Sequence, residues 1–355
     1  MSSTWEEKVH KVTPYTPGEQ PKALDVIKLN TNENPYPPAP AVKRAIADFD
    51  YELLRKYPDP TASGLIGVLS DTYSVPADQI FVGVGSDDVL AMSFLTFFTS
   101  GEGILFPDVT YSFYDVWAGE FRIPYETVPL KEDMSLDIDA FCRGTAGGIV
   151  IPNPNAPTGL DAGTGALEKI IKSNPQCVVI IDEAYVDFGA ESVLPLIDKY
   201  DNLLVTQTFS KSRAMAGSRL GFAFGSKKLI KYLNDVKYSF NSYTIDALTQ
   251  KVGIASLSDP DYFKMRCLAI INERERSKKR FRELGFDFPD SRSNFIFVHH
   301  NKVSGEELFK ALRDNNIFVR HFEGERVQDF NRVTIGTPEE MDGLFDFLKK
   351  YLENK

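Results

Sequence analysis

The chain predicts an α/β fold: a large domain with a mostly parallel mixed sheet flanked by helices, joined to a smaller α+β domain. Three observations carry this. Short apolar runs alternate with helix-forming stretches from about residue 80 to 225, the pattern of strand–helix–strand units. Cys177-Val-Val-Ile-Ile181 is apolar at every position, as in a strand covered on both faces. From about Asp259 the pattern changes to a long charged helix followed by short strands and helices. At 355 residues about two domains are expected. The divisions fall at 1–40, an N-terminal arm joining the small domain, 41–260, the large domain, and 261–355, the small domain.

In chain order, residues 14–40 come first. They hold Pro14-Tyr-Thr-Pro-Gly18 and Leu29-Asn-Thr-Asn-Glu-Asn-Pro-Tyr-Pro-Pro-Ala-Pro40. Proline at this density implies an extended arm rather than a helix or a central strand. A helix follows near 40–50, then the turn Arg55-Lys-Tyr-Pro-Asp-Pro60, in which Tyr57 is held extended by the next proline. Leu65, Val68 and Leu69 mark another helix. Ile80-Phe-Val-Gly-Val-Gly85 reads as a strand ending in glycine, and Ser86-Asp87-Asp88 opens an apolar helix to Phe98. Ser86 is the expected N-cap, and the acidic first turn suits the helix dipole. Free N–H groups there can seat a phosphate if both carboxylates point away. A dinucleotide fingerprint needs glycine where Asp88 stands, so that reading fails.

Alternation continues with a strand at 103–107, a helix start from Tyr111 to Trp117, and strands at 126–129 and 148–152. The loop Asn153-Pro-Asn-Ala-Pro-Thr-Gly159 is made of turn formers. A helix to about Ser173 leads to the buried run, which ends in Asp182-Glu-Ala-Tyr185. Asn202-Leu-Leu-Val-Thr-Gln-Thr208 runs into Phe209-Ser210-Lys211, and Arg219 precedes a second apolar run at 220–225. Residues 270–284 form a long charged helix with Glu275 and Lys279 paired at i,i+4, its dense charges reading as a solvated face. A strand at 294–299, a helix capped by Ser304 with Glu307, and strands at 317–320 and 332–335 follow. Thr337-Pro-Glu-Glu340 is a capping box with proline at the first helical position.

Composition narrows the function. The net charge is −10, which argues against nucleic acid as a partner, since phosphate neutralisation needs a basic face. Cys142, Cys177 and Cys267 are odd in number and widely spaced, so neither a disulfide framework nor a zinc site is indicated. His299 and His300 are adjacent in a strand and point to opposite faces, so no metal is expected. The N-terminus lacks a basic start followed by an apolar stretch, and no apolar run is long enough to span a membrane. A reduced, cytoplasmic protein is expected.

In a parallel α/β sheet, ligands bind beyond the carboxyl ends of the strands. Gly85, the 152–159 loop, Asp182, Tyr185, Ser210 and Lys211 all fall at such ends, so they converge on one edge. A lysine ending a strand is ordinarily an exposed surface residue. Beside a buried strand, among hydroxyls and small residues, burial disfavours its ammonium form. Its amine can then form a Schiff base with a carbonyl. A lysine of this kind, a carboxylate, a phenol and a phosphate seat together point to pyridoxal phosphate. Asp182 would keep the ring nitrogen protonated, and Tyr185 would bond the ring hydroxyl oxygen. Ser86, Ser210 and Arg219 would hold the phosphate, the arginine as a charged fork.

Asn-Ala-Pro-Thr-Gly159, Asp182-Glu-Ala-Tyr185, Thr208-Phe-Ser-Lys211 and Arg219 resemble the fold-type I aminotransferases. The whole-chain resemblance is to the histidinol-phosphate aminotransferases. It rests on Pro14-Tyr-Thr-Pro-Gly18, Leu29-Asn-Thr-Asn-Glu-Asn-Pro35, Lys56-Tyr-Pro-Asp-Pro60, Gly83-Val-Gly-Ser-Asp-Asp88 and Arg332-Val-Thr-Ile-Gly-Thr337. The resemblance implies a homodimer with a shared active site, acting on histidinol phosphate and glutamate or 2-oxoglutarate. By the same resemblance Lys211 carries the cofactor, Tyr111 stacks on its ring, and Gly85, Asp87 and Thr208 join the cofactor set. Tyr57 reaches the phosphate of the neighbouring subunit's cofactor. Arg332 binds the acidic end of the substrate, with Arg320, Tyr15, Asn32 and Asn294 nearby. One position departs from the family, which usually has asparagine before Pro-Thr-Gly. Ala156 stands there, and Asn155 is expected to take over through a small backbone shift. The alternatives are an aromatic aminotransferase or a phosphothreonine decarboxylase on the same fold, a Ser–Lys acyl hydrolase, and a non-catalytic regulator. The hydrolase lacks its nucleophilic serine and a K-T-G element, and a DNA-binding segment before the arm, which the regulator would need, is not expected.

Overall fold

A computed structural model describes residues 5–21, 25–353 and 355; the start of the chain, read above as leader-free, lies partly outside them. The first strand, β1 (Ile27–Lys28), belongs to the arm. Seven strands then build the central sheet: β2 (Ile80–Gly83), β3 (Ile104–Pro107), β4 (Tyr125–Val128), β5 (Gly148–Pro152), β6 (Val179–Asp182), β7 (Leu203–Thr208) and β8 (Gly221–Gly225). Their order is β2-β8-β7-β6-β5-β3-β4, and all run parallel except β8. Thr208 pairs with Gly221 in register, so the chain turns straight back after β7 through the segment that holds Lys211.

The uninterrupted apolar runs are explained by packing on both sides. Ile149, Ile151, Ile181 and Val205 meet Leu65, Leu69, Leu167 and Ile170 from helices Ser63–Tyr73 and Thr164–Ser173. Val150, Ile180 and Leu204 meet Val89, Phe94, Leu229 and Leu233 from helices Gly85–Phe97 and Lys227–Phe240. Alternate side chains of each strand therefore enter different cores.

A second body holds β9 (Phe286–Asp287), β10 (Phe295–His300), β11 (Ile317–Phe318), β12 (Arg320–His321) and β13 (Phe330–Thr334). Four of these form an antiparallel sheet in the order β12-β13-β10-β9, while β11 pairs in parallel with β1 of the arm. Ser304 Oγ accepts from Glu307 N at 3.2 Å, and Thr337 and Glu340 exchange the two bonds of a capping box at 2.7 and 3.3 Å.

Three local expectations change. Helix Gly85–Phe97 begins before Ser86, so Ser86 lies in its first turn; the N-cap is Val84, which makes no side-chain cap bond and whose N–H donates to Asp88 Oδ2 at 2.9 Å. The helix expected to start at Tyr111 starts at Tyr114, leaving Tyr111 in the turn before it. On helix Pro260–Glu283, Glu275 pairs with Lys278 rather than Lys279. Glu273, Arg274, Ser277 and Lys278 are buried there, so one stripe of the expected solvated face lies against the protein.

Candidate active site

Asp182 is the last residue of β6 and is fully enclosed. Its carboxylate accepts from Tyr114 Oη at 2.9 Å, Thr206 Oγ1 at 3.3 Å and Ala184 N at 3.2 Å. Among the described residues it has no cation at ion-pair distance. Burial outweighs the three donors and pushes its pKa up to about 6. Such a carboxylate suits a buried cationic N–H. Tyr114, clamped on it, has its own pKa driven well above the usual phenol value, first by burial and then by the Asp182 charge.

One residue past the short run after β6, Tyr185 presents its hydroxyl to Asn32 Nδ2 at 2.9 Å and its ring edge-on to Phe295. Lys211 is half-buried beyond the end of β7. Its Nζ donates to Thr31 O at 3.2 Å and lies 5.7 Å from the centre of the Tyr185 ring. Asn34 Nδ2 donates to the carbonyls of Lys211 and Ser212 at 3.0 and 3.1 Å, fixing the backbone on which the lysine stands.

Where the sequence places a phosphate seat, two backbones approach closely. A Cβ on Gly221 would lie 2.4 Å from both Gly85 C and Ser86 N. Gly85 itself has φ +82°, and a Cβ there would strike the Arg219 guanidinium at 2.5 Å. Glycine at both places lets the helix start, the Lys211 turn and Arg219 meet. The Asp87 carboxylate accepts from Arg219 Nη2 and Tyr111 Oη at 2.9 and 2.8 Å. Ser210 is buried beside them, its N–H donating to Thr208 Oγ1 at 3.1 Å.

Opposite this seat, β13 and β12 set Arg332 directly across from Arg320. Like charges opposed on adjacent strands repel, so the pair calls for an anion. Arg332 Nη2 donates to Asn30 O at 3.1 Å and Arg320 Nη2 to Thr16 O at 3.3 Å. Burial lowers the Arg332 pKa from its usual value. Asn32, in the left-handed region at φ +56°, links three segments. Its N–H and Oδ1 meet Thr334 Oγ1 at 3.0 and 3.1 Å, and its carbonyl accepts from Asn294 Nδ2 at 3.0 Å. Asn294 Oδ1 and Arg332 Nε are buried with unused bonding capacity. Tyr15 stacks on Phe113 at 4.2 Å and, with Arg320, Arg332 and Tyr111, lines the pocket.

Two residues lie elsewhere. Asn155 does not take the place of Ala156. Its amide donates to Val109 O and Thr158 Oγ1, each at 3.0 Å, while Ala156 lines the pocket with Tyr111 and Arg332. The Asn155 side-chain oxygen accepts from Thr110 Oγ1 at 3.3 Å. Tyr57 is 82% exposed and stacks on Tyr243 at 4.5 Å, away from the other site residues of its own chain. Sequence reasoning missed Tyr114, Thr206, Asn34 and Thr334. Thr206 had a signal, since it shares a strand face with Thr208.

The fold and this lysine–carboxylate edge define a class. Residues 24–348 match the profile of the aminotransferase class I and II family, and the chain belongs to that family. It is 50% identical to the histidinol-phosphate aminotransferase of Lactococcus lactis subsp. cremoris strain SK11, over 99% of each chain. It is 48% identical to that of Brachyspira hyodysenteriae over the full length of both. The crystal structure of the Sinorhizobium meliloti histidinol-phosphate aminotransferase in complex with pyridoxal-5′-phosphate superposes with a TM-score of 0.84 at 22% identity. It covers 92% of this chain and 91% of that one.

Proposed function

We propose that the protein carries out pyridoxal-phosphate-dependent transamination between L-histidinol phosphate and 2-oxoglutarate, giving imidazole-acetol phosphate and L-glutamate in histidine biosynthesis. The observation that carries this reading is the cross-strand pair Arg320 and Arg332 in a chain with the Lys211–Asp182–Tyr185 edge. One pocket must hold a phosphate ester in one half-reaction and a dicarboxylate in the other, and fixed guanidiniums serve both anions.

Pyridoxal phosphate, when bound, supplies the carbonyl carbon for amine exchange and a protonated ring that draws electrons from the substrate. The buried, cation-free Asp182 fits that ring nitrogen. Tyr114, Thr206 and Ala184 N–H orient the carboxylate towards it. Tyr185 Oη, steered by Asn32, fits the ring hydroxyl. Gly85, Ser86 and Asp87 offer backbone N–H groups to the phosphate at the helix start, with Thr208, Ser210 and Arg219 around it; Tyr111 covers the ring. Lys211 Nζ holds the cofactor and then moves the proton at the substrate Cα. Arg332, Arg320, Asn294, Asn32 and Tyr15 bind the substrate's anionic end and side chain.

The division into arm (1–40), large cofactor-binding domain (41–260) and small domain (261–355) belongs to this reading. So does a homodimer. Tyr57 has no role in its own subunit's pocket, and exposed Tyr51, Leu54 and Phe240 offer apolar surface on the same chain. Among the described residues no helix is long and apolar enough to cross a membrane. With its free cysteines, this supports a cytoplasmic enzyme.

The test is side-by-side turnover of histidinol phosphate and phenylalanine with 2-oxoglutarate. Histidinol phosphate is expected to react faster; faster phenylalanine turnover would replace this reading with that of an aromatic aminotransferase. Borohydride reduction and peptide mapping should place the cofactor on Lys211.

A further inference from the structure

Helix Pro260–Glu283 carries two buried cations on one face, a turn apart. The Arg274 side chain is 1% exposed and that of Lys278 is 3% exposed. Neither touches the pocket. Arg274 Nη1 donates to Phe188 O at 2.6 Å and to Ser293 O at 3.0 Å, while Nε donates to Glu275 Oε1 at 2.9 Å. Lys278 Nζ donates to Ser291 O at 2.8 Å, Asp290 Oδ1 at 2.7 Å and Glu275 Oε1 at 2.9 Å.

The carbonyls that Arg274 joins come from opposite sides of the site. Phe188 ends the short helix Val186–Phe188, and its N–H donates to Tyr185 O at 3.2 Å. Ser293 immediately precedes Asn294. Tyr185 and Asn294 both bond Asn32. One guanidinium therefore ties the backbone behind the cofactor-side phenol to the backbone behind the substrate-side amide. Lys278 fixes the same 290–293 segment from the other end. The front of that segment rests on the 153–159 loop: Arg292 N donates to Gly159 O at 2.7 Å, and a Cβ on Gly159 would lie 2.3 Å from Ser291 Oγ. A well-packed apolar residue would hold such a seam at less desolvation cost than a buried cation. What an apolar residue lacks is a donor: one nitrogen, Nη1, bonds both carbonyls, while Nε and Nη2 are held by Glu275 Oε1.

We infer that Arg274 is a positioning residue, which sets the distance between Tyr185 and Asn294 and so the fit of substrate against cofactor, with Lys278 bracing the segment it grips. The inference rests on the aminotransferase reading above. The test compares Arg274→Lys, which keeps the charge and loses the planar group that reaches both carbonyls and Glu275 at once, with Arg274→Met. Both are made as the pyridoxal-phosphate-loaded enzyme and assayed with whichever amino donor the parent turns over. In Arg274→Met the KM for that donor and for 2-oxoglutarate should rise about tenfold, with kcat changed much less. The pH midpoint of the cofactor's visible band should also move, because Tyr185 is displaced. Arg274→Lys should fall between Met and parent on both readouts.

A variant that melts earlier yet keeps the parental KM and the parental spectral midpoint overturns the inference, because the residue then serves stability alone. Failure of Arg274→Lys to fold overturns it too, since a residue that only positions is dispensable for folding. A parent that transfers no amino group would instead refute the functional reading, and a spectral midpoint unmoved in Arg274→Met would still count separately against the positioning role.

Discussion

Asp182 concentrates the chemistry of the site in one carboxyl group. Enclosed at the end of β6, it binds a proton more tightly than an aspartate in an unfolded chain. Between about pH 4, the ordinary aspartate value, and about pH 6, the cofactor-free fold keeps a proton that the unfolded chain has released. The folded state thus binds more protons than the unfolded one across that interval, and stability falls as pH rises through it. Well above about pH 6 the buried charge is present. Cofactor-free Asp182→Asn should therefore melt at a higher temperature than the cofactor-free parent at pH 8, with the gap closing as the pH drops towards 4. Equal melting temperatures at pH 8 would mean that Tyr114, Thr206 and Ala184 N–H compensate the burial fully. If Asp182 partners the ring N–H as proposed, the order should reverse with cofactor bound.

At the scale of the element, what matters is how closely the start of helix Gly85–Phe97 approaches β8. The atoms that a Gly221 Cβ would meet at 2.4 Å are backbone atoms. They cannot swing aside as a side chain would. Gly221→Ala should push the helix start away from the Lys211 turn and weaken cofactor binding about ten- to a hundredfold, the equivalent of an overpacking cost of about 1–3 kcal/mol. Equilibrium dialysis against pyridoxal phosphate measures this. Unchanged affinity would remove the phosphate seat from this junction. Gly217, whose added Cβ meets nothing within 4 Å, provides the control in the same turn.

At the scale of the molecule, the exposed Tyr57 links site and assembly. If it completes a partner's site, Tyr57→Ala and Lys211→Ala damage different halves of one composite centre. Mixing the two variants under conditions of subunit exchange should form hybrids with one intact site. Random pairing then gives about a quarter of parental activity, on top of the residual activity of Tyr57→Ala. Activity that stays at the average of the two separate variants would show that each subunit works alone. The same molecules in a sizing experiment report whether the apolar surface around Tyr51, Leu54 and Phe240 is covered by a second copy.

Much of this was legible in the sequence because it depends on local rules. The both-face apolar runs became the central strands, the alternation gave a mostly parallel sheet, and that sheet brought Gly85, Asp182, Tyr185, Ser210 and Lys211 to one end. Turn chemistry and caps, such as Thr337 with Glu340, are also written in a few consecutive residues. Tertiary structure alone decided the rest. Asn32 meets Thr334 from 302 positions away, and Arg320 faces Arg332 only in one register; a slip of one residue would send their side chains to opposite faces. The helix start moved from Ser86 back to Gly85, with Asp88 bonding Val84 N, and the Asn155 amide was spent on Val109 O and Thr158 Oγ1. Arg274 and Lys278, which composition marks as solvent-facing, are buried because carbonyls from Phe188, Ser291 and Ser293 converge on them. A buried cation depends on partners that distant segments deliver, and no window of neighbouring residues contains them.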